Sequence, residues 1–168
     1  MKPAQIMPTL AGREHDSDHR LIGLVYDSTP PLPSPSANPW LVAVDGSDNA
    51  LRAITYTVRQ AGEMTACAVH LIHVLPWLSK EAAEAELAHR ALGVTERARA
   101  LLDAASLPWR LHVAMGDPAE RIFDQATRLN ANTVVIGSRG LNALESLVFG
   151  SVAYKVVHRS PIPVIVVP

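Results

Sequence analysis

Three glycines and a serine have the spacing with the clearest chemical meaning in this 168-residue sequence. Gly137 and Gly140 follow an apolar run, and Gly150 and Ser151 come after nine further residues. Glycine lets a backbone approach a ligand closely, and the free N–H groups of a helix N-terminus favour an anion. The spacing G-x-x-G-x(9)-G-S therefore predicts a phosphate-binding loop. The alternative is a surface loop that contains glycine and binds nothing.

A strand and a helix must position these residues. The run 133–136 is apolar and β-branched, which is typical of a buried strand. Apolar residues with helical spacing follow Ser151, namely Val152, Ala153, Val156 and Val157. The predicted order is a strand, a glycine loop and a helix N-terminus.

Strands and helices alternate along the chain from residue 40 onward. The predicted strands are residues 41–44, 66–75, 109–115, 133–136 and 164–167. Helical patterns separate them and no hairpin signal is evident, so the sequence predicts an α/β fold with a five-stranded parallel sheet and helices on both faces. In such sheets ligands bind at the carboxyl ends of the strands, where the connections diverge.

The longest helical pattern covers residues 79–105. Its apolar residues recur at steps of three and four and predict a buried stripe: Leu87, Ala91, Val94, Ala98, Leu101 and Ala105. We expect the charged residues on the opposite side, Arg99 among them, to lie in solvent.

Residues 1–39 differ in character from the rest. Five prolines within residues 29–39 favour an extended linker. Residues 21–26, L-I-G-L-V-Y, have the composition of a short strand. The segment is therefore either a flexible Pro-rich extension or a strand that joins a sheet edge, its own or a partner's. We divide the chain into this extension and a single domain over residues 40–168.

Composition excludes several classes of protein. The formal net charge of −1 gives no general attraction to nucleic acid or to an anionic membrane. No apolar run has the length of a membrane span or of a signal peptide core. Cys67 is the one cysteine, so an intramolecular disulfide is impossible. These features predict a cytoplasmic protein.

The glycine motif and the residues after it resemble a known family. Residues 136–168 are similar to the C-terminal half of the universal stress protein family, and in particular to its ATP-binding branch with the signature G-x-x-G-x(9)-G-[S/T]. Residues 40–168 resemble the family over its whole length. The resemblance implies a Rossmann-like sheet with strand order 3-2-1-4-5, in which the end of the first strand and the glycine loop border one crevice.

The resemblance also implies roles for individual residues in binding an adenine nucleotide. Ala43 and Asp45 would lie beside the base and ribose, and the backbone of Val74 would recognise adenine. The ribose and phosphates would contact the glycine motif and the residues that adjoin it: Gly137, Gly140, Gly150, Ser151 and Val152. Capping after a strand is the alternative for Asp45, and core packing is an additional role for Val74. Arg139, inside the loop, could pair with a phosphate or lie in solvent.

The implied ligand is ATP, or AMP or cyclic AMP, and the implied function is that of a stress-response sensor or regulator. Mg²⁺ would accompany the phosphates because Arg139 is the one basic residue in residues 133–149. No separate metal site, P-loop lysine or nucleophile elbow is evident. Asp45 and Glu145 could position a water, but neither is an evident base, so we expect binding with little or slow hydrolysis. The alternatives are a slow ATP hydrolase and a nucleotide-free interaction protein.

The last predicted strand, Val164 to Val167, is flat and apolar although it should lie at a sheet edge. Such edges invite pairing with another strand. The family pairs this strand with its two-fold mate, which implies a homodimer here. The competing possibility is that residues 21–26 cover the edge within one chain.

Overall fold

The computed structural model describes residues 6–141 and 149–168. The elements of these residues are β1 (Thr9–His15), β2 (Leu21–Asp27), β3 (Pro39–Ala43), α1 (Asp48–Glu63), β4 (Ala68–Leu75), α2 (Lys80–Ala104), β5 (Trp109–Met115), α3 (Pro118–Leu129), β6 (Thr133–Gly137), α4 (Ser151–Arg159) and β7 (Val164–Val167). The predicted α/β class is confirmed.

One mostly parallel sheet organises these elements. Its order is β1-β2-β5-β4-β3-β6-β7, in which β5, β4, β3, β6 and β7 are parallel and β1 and β2 are antiparallel. The prediction of a five-stranded, wholly parallel sheet with order 3-2-1-4-5 is therefore wrong for the sheet as a whole. It has seven strands, because an N-terminal hairpin adds two strands beside β5 and so changes the order.

A tight turn makes this hairpin. The Oδ1 atom of Asp16 accepts hydrogen bonds from the backbone N–H groups of Asp18 and Arg20, both at 2.9 Å. The turn returns the chain so that β2 pairs antiparallel with β1, and the other edge of β2 pairs antiparallel with β5. β1 is thus the edge strand of the sheet and β2 lies between β1 and β5. Residues 21–26 join their own sheet, as one of the two alternatives predicts, and the prediction of a flexible extension is wrong for these two strands. The division at residue 40 stays a prediction.

The two ends of the sheet differ in what lies beside them. The hairpin covers β5, whereas β7 lies at the opposite end and pairs with β6 alone among the described strands. The possibility that residues 21–26 cover the edge of β7 is therefore wrong.

Apolar side chains pack on both faces of the sheet. The first face, beneath α1 and α2, buries Leu71, Trp109 and Leu111, and the second, beneath α3 and α4, buries Leu41 and Ile72. Leu71 and Ile72 alternate along β4, as successive side chains of a strand must. Parallel strands covered on both faces explain the continuous apolar runs of the sequence.

Helix α2 is rotated relative to the predicted stripe. Thr95 and Leu102 are buried, while Val94 and Leu101 are 36% and 39% exposed. Ala105 is exposed as well, so the predicted stripe is wrong at Val94, Leu101 and Ala105. Arg99 was wrongly expected in solvent and is 8% exposed. Its Nε donates to Thr95 Oγ1 at 3.2 Å and its Nη2 donates to the Leu92 carbonyl, which satisfies the buried guanidinium.

None of the helices within the described ranges combines the length and apolar character that crossing a membrane requires.

Candidate functional site

A cleft of about 480 Å³ opens where the parallel strands end. All the residues predicted to bind a ligand line it, namely Ala43, Asp45, Val74, Gly137, Arg139, Gly140, Gly150, Ser151 and Val152. It lies where the chain leaves β3 and β6, the neighbouring strands whose connections run to α1 and α4. The structure therefore brings together residues that are more than a hundred positions apart in the sequence.

The turn after β3 carries the acidic group of the cleft. Asp45 Oδ1 accepts a hydrogen bond from the backbone N–H of Ser47 at 2.9 Å. Ser47 in turn caps α1, because its Oγ accepts from the N–H of Ala50 at 3.1 Å. Asp45 therefore orders the turn while its other oxygen, Oδ2, faces the glycine loop.

Two glycines of the loop are set by close contacts. A Cβ atom at Gly137 would lie 2.8 Å from the carbonyl carbon of Asn49, so its absence lets α1 pack against β6. A Cβ atom at Gly140 would lie 2.6 Å from Asp45 Oδ2. Any side chain at either position would displace its neighbour, which explains both glycines by packing.

Ser138 ties the glycine loop to three other elements. Its N–H donates to the Val167 carbonyl at 2.8 Å, and its carbonyl accepts from the Gly150 N–H at 2.7 Å. Its Oγ accepts from Asn49 Nδ2 at 3.0 Å. The end of β7, the start of α4 and the first turn of α1 thus meet at one residue, whose role the sequence did not indicate.

The N-terminus of α4 points its positive end at the cleft. Gly150 is the N-cap residue and makes no side-chain cap hydrogen bond, and the first turn has no acidic residue. Gly150, Ser151 and Val152 all line the cleft. Uncapped N–H groups and the helix dipole favour an anion at this point.

The opposite wall consists of apolar residues from other connections. Val74 and Pro76 come from the end of β4, and Pro118 and Ile122 come from α3. His73 braces this wall, because its Nδ1 donates to the Val44 carbonyl at 2.7 Å. Burial lowers the pKa of His73, so the ring is neutral near pH 7. Sequence reasoning missed Pro76 and Pro118, which have no chemical signature of their own.

Few of the described side chains that line the cleft are charged. Asp45 and Arg139 are the fully charged side chains among the described lining residues, and most others are apolar. The described residues contain no group of three or more His, Cys, Asp or Glu side chains that could hold a metal ion. Glu145 lies outside the described residues. This arrangement suits a ligand with a flat apolar part and an anionic part.

A mostly parallel α/β sheet with its cleft at the strand ends defines the class of Rossmann-like ligand-binding domains. Residues 38–168 match the sequence model of the Universal stress protein family, and the chain belongs to that family. A universal stress protein of Thermus aquaticus is 36% identical over 131 residues, which cover 76% of this chain and 96% of the relative. The stress response protein NhaX of Bacillus subtilis is 40% identical over 74 residues, which cover 44% of this chain and 45% of the relative.

Solved structures of the family share the fold. A universal stress protein of Archaeoglobus fulgidus in complex with dAMP is 26% identical, with a TM-score of 0.63 over 79% of this chain and 98% of that one. A family protein of Arabidopsis thaliana with AMP bound is 21% identical, with a TM-score of 0.57 over 78% and 91% of the two chains. A universal stress protein in complex with cAMP is 23% identical, with a TM-score of 0.57 over 79% and 97%.

Proposed function

We propose that the cleft binds an adenine nucleotide, ATP together with Mg²⁺, and that the protein acts as a nucleotide-dependent sensor or regulator in a stress response. The observation that carries the proposal is the uncapped N-terminus of α4, which faces Asp45 and the glycine loop across one cleft. Support comes from the Archaeoglobus fulgidus relative, whose complex contains dAMP.

Charge decides the orientation of the nucleotide in this proposal. Phosphates beside Asp45 would meet a carboxylate, whereas at Ser151 and Val152 they meet backbone N–H groups. The ribose hydroxyls would then lie near Asp45, which can accept their hydrogen bonds. Adenine would lie against Ala43 and the backbone of Val74.

Mg²⁺ has an electrostatic role in this proposal. Arg139 is the one cationic side chain among the described lining residues, and it can balance only part of the charge of a triphosphate. Mg²⁺ prefers phosphate oxygens and water as ligands, so it would enter with the nucleotide. AMP or cyclic AMP would present a single phosphate and need no cation.

Binding with slow or no hydrolysis is the activity that we propose. Asp45 is the one carboxylate among the described lining residues, and the proposed orientation places it beside the ribose rather than the phosphates, where a general base would have to act. The half-buried Cys67 has no second cysteine to pair with, in keeping with the cytoplasm as the compartment.

Calorimetric titration with ATP and Mg²⁺, beside AMP, cyclic AMP and GTP, tests the ligand assignment. Gly140→Glu should abolish binding, because the new side chain would displace Asp45 and bring a negative charge to the ribose. Gly62→Glu is the matched control, because a Cβ atom at Gly62 meets nothing within 4 Å. Failure of the unmodified protein to bind any of these nucleotides would overturn the proposal.

The edge of β7 supports a homodimer as a further part of the proposal. The carbonyls of Pro163 and Val167 accept hydrogen bonds from β6 and the Ser138 that follows it, so the alternate residues Val164 and Val166 direct their backbone groups outward. An apolar edge strand that pairs with β6 alone among the described residues favours pairing with a second copy.

Val166→Pro tests this interface because it removes an outward N–H group and leaves the hydrogen bonds to β6 in place. Sedimentation velocity should show a dimer for the unmodified protein and for Val166→Thr, and a monomer for Val166→Pro. An unmodified protein that sediments as a monomer at micromolar concentration would contradict the dimer.

A further inference from the structure

Arg20 joins the N-terminal hairpin to the loop that follows β4. Its backbone is held in the β1–β2 turn, where its N–H donates to Asp16 Oδ1 at 2.9 Å and its carbonyl accepts from the Asp16 N–H at 3.0 Å. Its side chain leaves the hairpin, and Nη2 donates to the carbonyl of Leu78. The guanidinium carbon lies 5.8 Å from the centre of the Trp77 ring. One side chain therefore contacts two consecutive residues of the loop.

Trp77 contacts a second loop with another part of its ring. A Cβ atom at Gly116 would lie 3.3 Å from Trp77 Nε1 and 3.5 Å from its Cε2, so the indole covers a residue that has no side chain. Gly116 has φ +124°, and its N–H donates to the Leu75 carbonyl at 2.8 Å. We call the stack of Arg20, Trp77 and Gly116 the tryptophan clamp.

The clamp lies directly behind one wall of the cleft. Pro76, which precedes Trp77, and Pro118, two residues after Gly116, both line the cleft. Pro76 lies in the β4–α2 connection and Pro118 is the first residue of α3, and Trp77 contacts Gly116 in the connection that leads to α3. The position of this wall therefore depends on contacts that Trp77 makes outside the cleft.

Arg20 anchors the Trp77 ring from the side of the hairpin. Trp77 is 57% exposed, so burial in the core does not fix its ring. A hydrogen bond from a charged donor and a cation–π contact both restrict the loop. An arginine can make the two contacts together because its guanidinium is planar and presents several N–H groups.

We infer that the N-terminal hairpin supports the ligand site from outside the cleft and that Arg20 is a positioning residue, which holds the Pro76–Pro118 wall against the base of the bound nucleotide. This inference rests on the proposed function. Arg20 lies outside residues 38–168, which match the family model. The inferred effect of Arg20 on nucleotide binding is therefore a contribution of the N-terminal segment of this chain.

The test measures ATP affinity for Arg20→Leu, Arg20→Lys and Arg13→Leu in the full chain. Arg13→Leu is the matched control, since it removes an arginine from the same hairpin whose Nη1 lies 3.9 Å from Glu84 on α2. We expect the dissociation constant for ATP to be about tenfold larger in Arg20→Leu, since small displacements of a binding wall have large effects. We expect less than about a threefold change for Arg13→Leu, and partial recovery for Arg20→Lys, which retains a cation.

A readout without ligand completes the test. Trp40 and Trp109 are 6% and 1% exposed, so acrylamide quenches mainly Trp77 in the folded protein. Quenching should increase in Arg20→Leu and not in Arg13→Leu, with both variants folded by circular dichroism.

Three results would count against the inference. Equal ATP affinity in Arg20→Leu and the unmodified protein would overturn the inference and leave the proposed function standing. An equal loss in Arg20→Leu and Arg13→Leu would also overturn it, because the effect would then come from hairpin stability. No ATP binding by the unmodified protein would overturn both proposals.

Discussion

Two helix N-termini border the same cleft and differ in how their first N–H groups are satisfied. At α1, Ser47 Oγ accepts from the N–H of Ala50, Asp45 accepts from the N–H of Ser47, and Asp48 places a negative charge in the first turn. At α4, Gly150 provides no side-chain cap and the first turn has no acidic residue.

The difference shows which end of the cleft is suited to an anion. The chain supplies α1 with its own acceptors and charge, so little remains there for a ligand to satisfy. At α4 no described side chain caps the first N–H groups, and the positive end of the helix dipole borders the cleft. An open helix N-terminus beside a capped one is therefore the feature that favours phosphate at one end and ribose at the other.

An acidic residue in the first turn of α4 should remove the difference between the two helix N-termini, and we expect it to have the largest effect on ATP affinity. Ser151→Asp would place a carboxylate where the phosphates are proposed to bind, so ATP affinity should fall by about a hundredfold or more through charge repulsion. The same change should raise the free energy of unfolding by about 0.3–1 kcal/mol through the helix dipole. Calorimetry and urea denaturation measure the two quantities. Unchanged affinity would rule out phosphate at this helix.

Gly137→Ala tests the packing that holds α1 close to the glycine loop. The new methyl group would lie 2.8 Å from the backbone of Asn49, and overpacking of this kind costs about 1–3 kcal/mol. Gly62→Ala is the matched control, because the space beside Gly62 is open and alanine stabilises a helix relative to glycine. Urea denaturation should show opposite signs for the two variants, and equal stability would contradict the close contact.

Removing the cap of α1 should affect stability more than binding. Ser47→Ala leaves the Ala50 N–H without its acceptor, and the free energy of unfolding should fall by about 1 kcal/mol. Ser151→Ala removes no cap, so its stability should stay within about 0.5 kcal/mol of the unmodified protein. Equal losses in the two variants, measured by urea denaturation, would mean that the helix N-termini do not differ.

Acid should weaken the sheet that supports both helices. His70 Nδ1 and His112 Nε2 are 2.9 Å apart, and burial lowers the pKa of His70 to about 4 and that of His112 to about 3. The unfolded chain binds these protons near pH 6.5, so the free energy of unfolding is greatest above that pH. It should fall as the pH decreases from about 6.5 toward 3. Urea midpoints at pH 7 and pH 4.5 measure this loss, and His70→Gln should show a shallower dependence on pH.

Sequence patterns were sufficient for the parallel part of the fold because each of its elements has a local signal. Asp117 accepts from the N–H of Glu120 at the start of α3, as its position before Pro118 indicates. The strands Trp109–Met115 and Val164–Val167 have the bounds that the loose alternation of the first and the apolar run of the second predict. The glycine spacing identified residues that the structure places in one cleft, although their role in binding remains a prediction.

Long-range contacts account for what the sequence did not show. The hairpin depends on the Asp16 turn and on pairing of β2 with β5, more than eighty residues away, and neither leaves a periodic pattern. The acceptors of Arg99, Thr95 Oγ1 and the Leu92 carbonyl, lie on the same helix, but its burial follows from how α2 is rotated against the sheet. The contact of Arg20 with Trp77 has no local signature, since the two residues are brought together only by the assembled sheet.

The most direct test of the central claim is a titration of ¹⁵N-labelled protein with ATP and Mg²⁺, followed through the backbone amide resonances. If phosphates bind at the open helix, the amides of Ser151 and Val152 should shift most and saturate with ATP, while the capped amide of Ala50 should shift little. Larger shifts at Ala50 than at Ser151 and Val152, or no saturable shift at α4, would contradict the account.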